Sequence, residues 1–462
     1  MKTRMELPTL VACVLGALST SAMATPPASQ LTGWAMIAST YLHPGPVSGQ
    51  FGISGNGVSG PFAGQPIPGF SGMLPSVNAG RFYGLPDNGF GGQGNSADFV
   101  LGFYEVTPSF KISGDGTTNP GGVAVNSFTP FSDPNGYLST GNFITNGPVY
   151  NRSTYYPSSA IAVDPSITAG RLLTGADFDV ESFARMNDGS FWVGEEFGPY
   201  LLHFNAQGQL LGAPIPHPVL RAPQNPQGGA NLPSSRGFEA MTRNADGSRL
   251  YVTTEASINS QTDKRLLEVY EFDTVTQQYT GVNFTYAKDS SDFITGGANN
   301  SSNIFVTGDM AHVADDKFII IERDDFQGLA SGANPPRQKK LYLIDLSETD
   351  ADGVLKKTLL VDLLDIDDPA DIGGPLQEVG PWKFNFPLQS VESVTLLDDY
   401  TVLVGLDNNY PGGNGRVPGV PDGTEIITLR FSQPIAAIPE PGTYAMFLLG
   451  LGLVGWLSRR RG

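Results

Sequence analysis

Four segments of this chain repeat a pattern that few folds can satisfy. Each has an acid, a short semi-apolar run, an Asp-containing turn, a β-branched or aromatic strand, and a second acid. They read ESFARMNDGSFWVGEE from Glu181, EAMTRNADGSRLYVTTE from Glu239, DMAHVADDKFIIIERD from Asp309 and ESVTLLDDYTVLVGLDN from Glu392. From first acid to last (Glu196, Glu255, Asp324 and Asp407) the spans are 15, 16, 15 and 15 residues. A weaker copy, SGMLPSVNAGRFYGLPDN, has Ser71 in the first acid position and Asp87 at the far end, 16 residues on. Another apolar strand follows in YLLHF, LLEVYEF, KLYLIDL and EIITLRF.

Spaced 58, 70 and 83 residues apart, the four full copies have the unevenness of propeller blades with variable loops. Five visible copies plus a divergent one in 100–175 predict an all-β, six-bladed β-propeller with long decorating loops. A strand near Trp34–Tyr41 would close the ring. Composition agrees: 57 Gly and 36 Pro in 462 residues favour many short strands, and 40% hydrophobic content is ample for a core. A β-sandwich would leave unexplained why acids recur in phase with the hairpins.

Both termini read as addresses around a body spanning 25–434. Residues 1–24 join Lys2 and Arg4 to an apolar run and end in SAMA at Ala24, an export signal and cleavage site. The one cysteine, Cys13, lies in that run, so the exported body would rely on packing or bound ions. Residues 438–462 join a Pro-Glu-Pro turn to an apolar run, Tyr444–Leu457, and an arginine cluster. At 14 residues the run falls short of the ~20 that cross a bilayer, so it reads as a short transmembrane anchor, with the arginines staying cytoplasmic. This tail resembles a PEP-CTERM sorting signal, which implies a Gram-negative host, processing by an exosortase, and delivery to the outer surface or matrix. Loss of the signal (net +1) and of the three tail arginines (+3), with Glu440 staying on the mature chain, takes the formal charge from −18 to −22. Such a body repels nucleic acid and concentrates cations.

In a propeller the innermost strands surround an axial channel, so acids in phase with the repeat would ring one mouth. Crowded carboxylates raise one another's pKa unless a cation sits among them. Oxygen-only ligands select a hard ion such as Ca²⁺. The candidate ligands are Asp87, Glu181, Glu195, Glu196, Glu239, Glu255, Asp309, Glu322, Asp324, Glu392 and Asp407. The other use of such acids is to cap turns or pair with Lys and Arg.

The stretch RLLTGADFDVESFARMNDGSFWVGEEFGPYLLHFNAQGQLL, with SSRGFEAMTRNADGSRLYVTTEAS, resembles the esterase-like-activity-of-phytase family, the phytase-like propellers. The likeness extends over about 70–430 and includes GRFYGLPDNG and ESVTLLDDYTVLVGLDNN. It departs from the family pattern at Glu195-Glu196, where the family carries Asp-Glu, and at Ser71. The resemblance implies hydrolysis of phosphate or other esters. Chemistry of that kind needs cations for the non-bridging oxygens and a proton carrier. Arg236, Arg323 and Lys383 are the candidate cations, and His312, three residues after Asp309, is the candidate proton carrier. No G-x-S-x-G elbow, H-E-x-x-H, zinc spacing, P-loop or dinucleotide fingerprint is present. Two other readings stay open: a non-catalytic, calcium-stabilised propeller binding the cell surface or exopolysaccharide, and a lactonase-type propeller.

Overall fold

The hairpins close on Asp side chains. Asp188 Oδ1 accepts from the amide and hydroxyl of Ser190 at 2.9 and 2.7 Å, and Gly189 at φ +89° supplies the left-handed residue of the turn. Asp246 does the same for the Ser248 amide at 2.8 Å, and Asp398 for that of Tyr400 at 2.8 Å. In a computed structural model of the protein, the described residues are 26–114, 119–139, 143, 163–291, 304–328, 332, 335–373 and 380–438. The expected export signal at 1–24, nearly all of the 438–462 tail, most of 140–162 and the polar loop Asn299–Ser302 lie outside them.

Pro26–Ile438 forms one compact unit. Within it, the strands group into five four-stranded antiparallel blades, three of them separate sheets and two, blades I and V, joined edge to edge in one ten-stranded sheet through the parallel bridge Met36–Gly122. Blade I holds Gly72–Pro75, Phe82–Leu85, Gly102–Ser109 and Gly122–Pro130. Blade II holds Val180–Arg185, Phe191–Glu195, Tyr200–Phe204 and Ile215–Pro216. Phe238–Arg243, Arg249–Thr254, Leu266–Asp273 and Gln278–Ala287 form blade III. Blade IV consists of Phe305–Ala314, Lys317–Asp324, Lys339–Thr349 and Leu355–Asp362. Blade V takes Ser390–Asp398, Thr401–Asp407 and Thr424–Phe431, and its fourth strand comes from the N-terminal side, Ser29–Ile37. That pairing is the expected ring closure.

The first strand of each blade packs on the first strand of the next, and blade V returns to blade I. Strand alternation makes this possible, because successive side chains point to opposite faces. Tyr251 joins Phe318 and Ile320 between blades III and IV, while its neighbour Val252 joins Trp192 between blades II and III. Ile319 and Ile321 turn the other way, onto Val394 and Val404 of blade V. Two more clusters fill the remaining gaps: Phe103 against Phe183, and Met73 against Leu403.

The ring among the described residues therefore has five blades where the sequence predicts six. The stretch assigned to a divergent sixth copy supplies instead the two outer strands of blade I. Those strands alternate as a sheet should but carry no acid–turn–acid unit, as befits strands remote from the axis.

Candidate functional site

Strand register decides which acids reach the axis. In blade II the pairs Val180–Glu195 and Ser182–Gly194 leave Glu181 as an extra residue, a β-bulge on the innermost strand. Blade III repeats this at Glu239, between Phe238–Thr254 and Ala240–Thr253. Blade V does so at Glu392, between Val391–Leu406 and Ser393–Gly405. Glu196 and Glu255 stand one residue beyond the paired end of the second strand, and Asp407, paired with Ser390, closes the second strand of blade V at the equivalent place. All six acids are buried and line one axial cavity of about 210 Å³.

Blade IV breaks the pattern. Its equivalent pair is Thr307–Glu322, so the bulge begins at Gly308 and the next position along the second strand is Arg323, still paired with Val306. Asp309 and Asp324, aligned with the other acids by the 15-residue spacing, each sit one residue too late. Gly308 leaves no side chain to fill the axis, and Arg323 extends into the space. Its Nη2 lies 2.6 Å from Glu255 Oε1, 2.6 Å from Glu392 Oε1 and 3.6 Å from Glu239 Oε1, and its Nη1 pairs with Asp325. Arg236 bridges Glu255 and Asp325 at the more open side of the cavity.

Two guanidinium groups do not balance nine lining carboxylates, which include Asp87, Asp179 and Asp325. Burial first, then Asp179 and Glu239, pushes Glu181 well above the usual carboxylate range. Burial, Glu255 and Glu392 do the same to Glu239, and burial with Asp87 does so to Asp407. Burial and then Asp179 raise Asp87 to about 8, and burial raises Asp179 to about 6. Four carboxylate oxygens, Asp179 Oδ1, Glu196 Oε1, Glu239 Oε1 and Glu392 Oε2, are buried with no hydrogen-bond partner. Two triplets have ligand atoms all within 4.8 Å of one another: Asp87, Asp179 and Glu181, and Glu196, Glu239 and Glu255. Oxygens that share one ion at ~2.4 Å, the calcium–oxygen distance, can lie no farther apart than that spacing. The donor set and the orphaned oxygens both fit a hard divalent cation.

The remaining sequence candidates are placed elsewhere, each with its own partners. Glu195 accepts backbone amides from Phe197, Gly198 and Tyr200 at 2.9, 2.7 and 2.8 Å and so builds the turn after its strand. Asp309 points between blades and accepts from the Val394 amide at 3.3 Å. Glu322 bonds with Tyr286 and Lys357, and Asp324 takes the amides of Arg337 and Gln338 and pairs with Lys339 at 3.1 Å. His312 stands at the hairpin end of its strand, remote from the cavity, with Nε2 3.0 Å from the Asp315 carbonyl. Lys383 pairs with Asp365 and Asp367 at 2.9 and 2.8 Å, again away from the axis. Of the four cation and proton-carrier candidates, only Arg236 and Arg323 line the cavity.

The structure also adds residues to the site. Asp179 lies two positions before Glu181, which on an extended strand is the same face. That spacing was readable in DFDVES. Asn88, Gln389 and Asn409 come from loops and Ser390 from the first residue of a blade V strand, and none had a comparable signal.

Bulged acids converging on the axis of a closed ring of sheets define an acid-lined β-propeller. Over residues 65–410 the chain matches the family described as "Esterase-like activity of phytase", and it belongs to that family. Residues 437–461 match the PEP-CTERM protein-sorting motif, which marks the chain for export, anchoring through its C-terminal tail and exosortase processing. No helix among the described residues is long and apolar enough to cross a membrane. An "Uncharacterized secreted protein" of Arthroderma benhamiae is 26% identical over 213 residues, 38% of this chain and 40% of that protein. The match thus spans about two fifths of that relative. Among solved structures, a xyloglucan-locus GH43B of Bacteroides ovatus aligns with TM-score 0.39 at 9% identity, over 85% of this chain and 53% of that one. The PQQ-bound aldose sugar dehydrogenase of Streptomyces coelicolor aligns with TM-score 0.31 at 11% identity, over 88% and 99%. Both are distant enough that the fold rests on the sheet topology alone.

Proposed function

We propose that this exported phytase-like protein is a calcium-dependent ester hydrolase acting on phosphate or related esters in the axial cavity. The observation that carries the reading is the pair of carboxylate triplets with four orphaned oxygens. Glu196, Glu239 and Glu255 would hold one ion, and Asp87, Asp179 and Glu181 a second. Bound calcium would neutralise the cavity, polarise the ester and make water a better nucleophile.

The protein's own groups divide the remaining work. Arg323, held by Glu255 and Glu392, fixes the direction of those carboxylates. Arg236, 27% exposed and on the open side, meets the non-bridging oxygens of an incoming phosphate. In the balanced reaction, water oxygen bonds to phosphorus as the bond to the ester oxygen breaks, and a water proton leaves with the alcohol. Walls of buried side chains exclude bulk solvent, which strengthens each of these interactions.

Hydrolysis of 4-nitrophenyl phosphate and 4-nitrophenyl acetate, with calcium and with chelator, tests the proposal. Turnover that needs calcium and fails in Glu239→Gln is the expected result. Absence of turnover on both esters, with calcium demonstrably bound, removes the enzyme.

A further inference from the structure

We infer that a second chamber beside the acid cavity holds the alcohol half of the ester, and that it takes a neutral, sugar-sized polyol. The inference rests on the hydrolase reading and deepens it by naming the substrate class. Asp87, Gly91, Gln389 and Asn409 line both chambers, so the two spaces adjoin. The second has a volume of about 370 Å³, within the ~300–1,000 Å³ of ordinary small-molecule sites.

Its walls differ from those of its neighbour. Phe90 and Tyr410 give it aromatic surface, and the rim carries amides. Gln389 Oε1 is occupied by Gln327 Nε2 at 3.2 Å, so the Gln389 amide nitrogen is left to donate. Asn409 Nδ2 donates to Ser390 Oγ at 2.8 Å, so its Oδ1 is left to accept. A donor beside an acceptor matches a hydroxyl, which is both. Aromatic faces suit the C–H surface of a ring. Among the described residues no Lys, Arg or His lines this chamber, and its one carboxyl group is that of Asp87. Further phosphates on the same alcohol would find no cationic side chain in this chamber to receive them, which works against a polyanion such as inositol hexakisphosphate.

The test uses the exported chain loaded with calcium, against glucose 6-phosphate, 4-nitrophenyl phosphate and inositol hexakisphosphate. We expect the hexose ester to exceed the hexakisphosphate in kcat/KM by about tenfold or more, and Gln389→Ala to raise KM for the hexose ester by about tenfold relative to the nitrophenyl ester, the loss of one or two hydrogen bonds. Saturation-transfer NMR with free glucose reads the chamber without turnover, and the signal should be lost in Gln389→Ala. Glucose binding without hydrolysis of any ester would sink the hydrolase but keep the chamber's assignment. Hydrolysis in which the hexakisphosphate is preferred, or in which Gln389→Ala changes nothing, would overturn the polyol subsite and keep the hydrolase. Preference for the nitrophenyl ester would also overturn it.

Discussion

Blades II and IV share one hairpin design and put opposite charges on the axis. Blade II places Glu181 at its bulge and Glu196 just past its strand end, whereas blade IV begins its bulge at Gly308 and sets Arg323, still within its strand, at the position that matches Glu196. The difference is a one-residue offset of the acids against the ladder. Blade IV keeps its acids, Asp309 and Asp324, but spends them on an inter-blade amide and on a loop held through Lys339. Equal spacing in sequence therefore does not imply equal function, because register and not spacing selects the residue that faces the axis. One resident cation in an otherwise acidic ring lowers the repulsion that the metal-free fold must bear.

The contrast yields a series of expected effects. Arg323→Met should be the most damaging change, because it leaves Glu392 as an uncompensated buried charge and Glu255 with Arg236 alone, a loss of about 3–5 kcal/mol in chelator. Added calcium should recover much of that loss; urea denaturation in both conditions measures it. An equal loss with and without calcium would deny that the guanidinium stands in for an ion.

Acidity offers the next effect. Asp179 and Asp87, raised to about 6 and about 8, bind more protons folded than unfolded. Their contribution is present at low pH and is lost as pH rises through those values. Metal-free protein should lose on the order of 2–3 kcal/mol between pH 6 and 8, one proton over two pH units. With calcium bound, the ionised forms are stabilised and the slope should flatten. Urea midpoints that rise with pH in chelator would refute this.

Glu195→Gln should cost about 1–2 kcal/mol, as a buried acceptor of three amides is weakened. Here the loss should be the same with and without calcium, unlike the loss in the neighbouring Glu196→Gln. Lys383→Ala should be the mildest, within about 0.5 kcal/mol, because its ion pairs are solvent-exposed. Thermal melts of the three variants in calcium and in chelator make the comparison.

How far the sequence carried depended on what each feature needed. Hairpins were legible because Asp-Gly turns and alternating strands are local. Ring closure near Trp34–Tyr41 was legible because propellers need it. Blade number was not, since the outer strands of blade I lack the repeated unit and pair across a long loop. Asp87, Glu181, Glu196, Glu239, Glu255, Glu392 and Asp407, singled out by phase alone, do line the axial cavity. Asp309 and Asp324 were misplaced because a bulge shifts register by one residue without changing the spacing between acids. Gln389 and Asn409 had no signal, since loops bring them to the axis only in the closed ring.

Calorimetric titration of calcium into metal-free protein at pH 7.5, for the native chain and for Glu239→Gln, decides whether the bulged acids form an ion site. Saturable binding by the native chain, with affinity at least about tenfold lower in the variant, is the outcome predicted from a ligand lost at the axis. No calcium binding by the native chain, or equal binding by both, would contradict it.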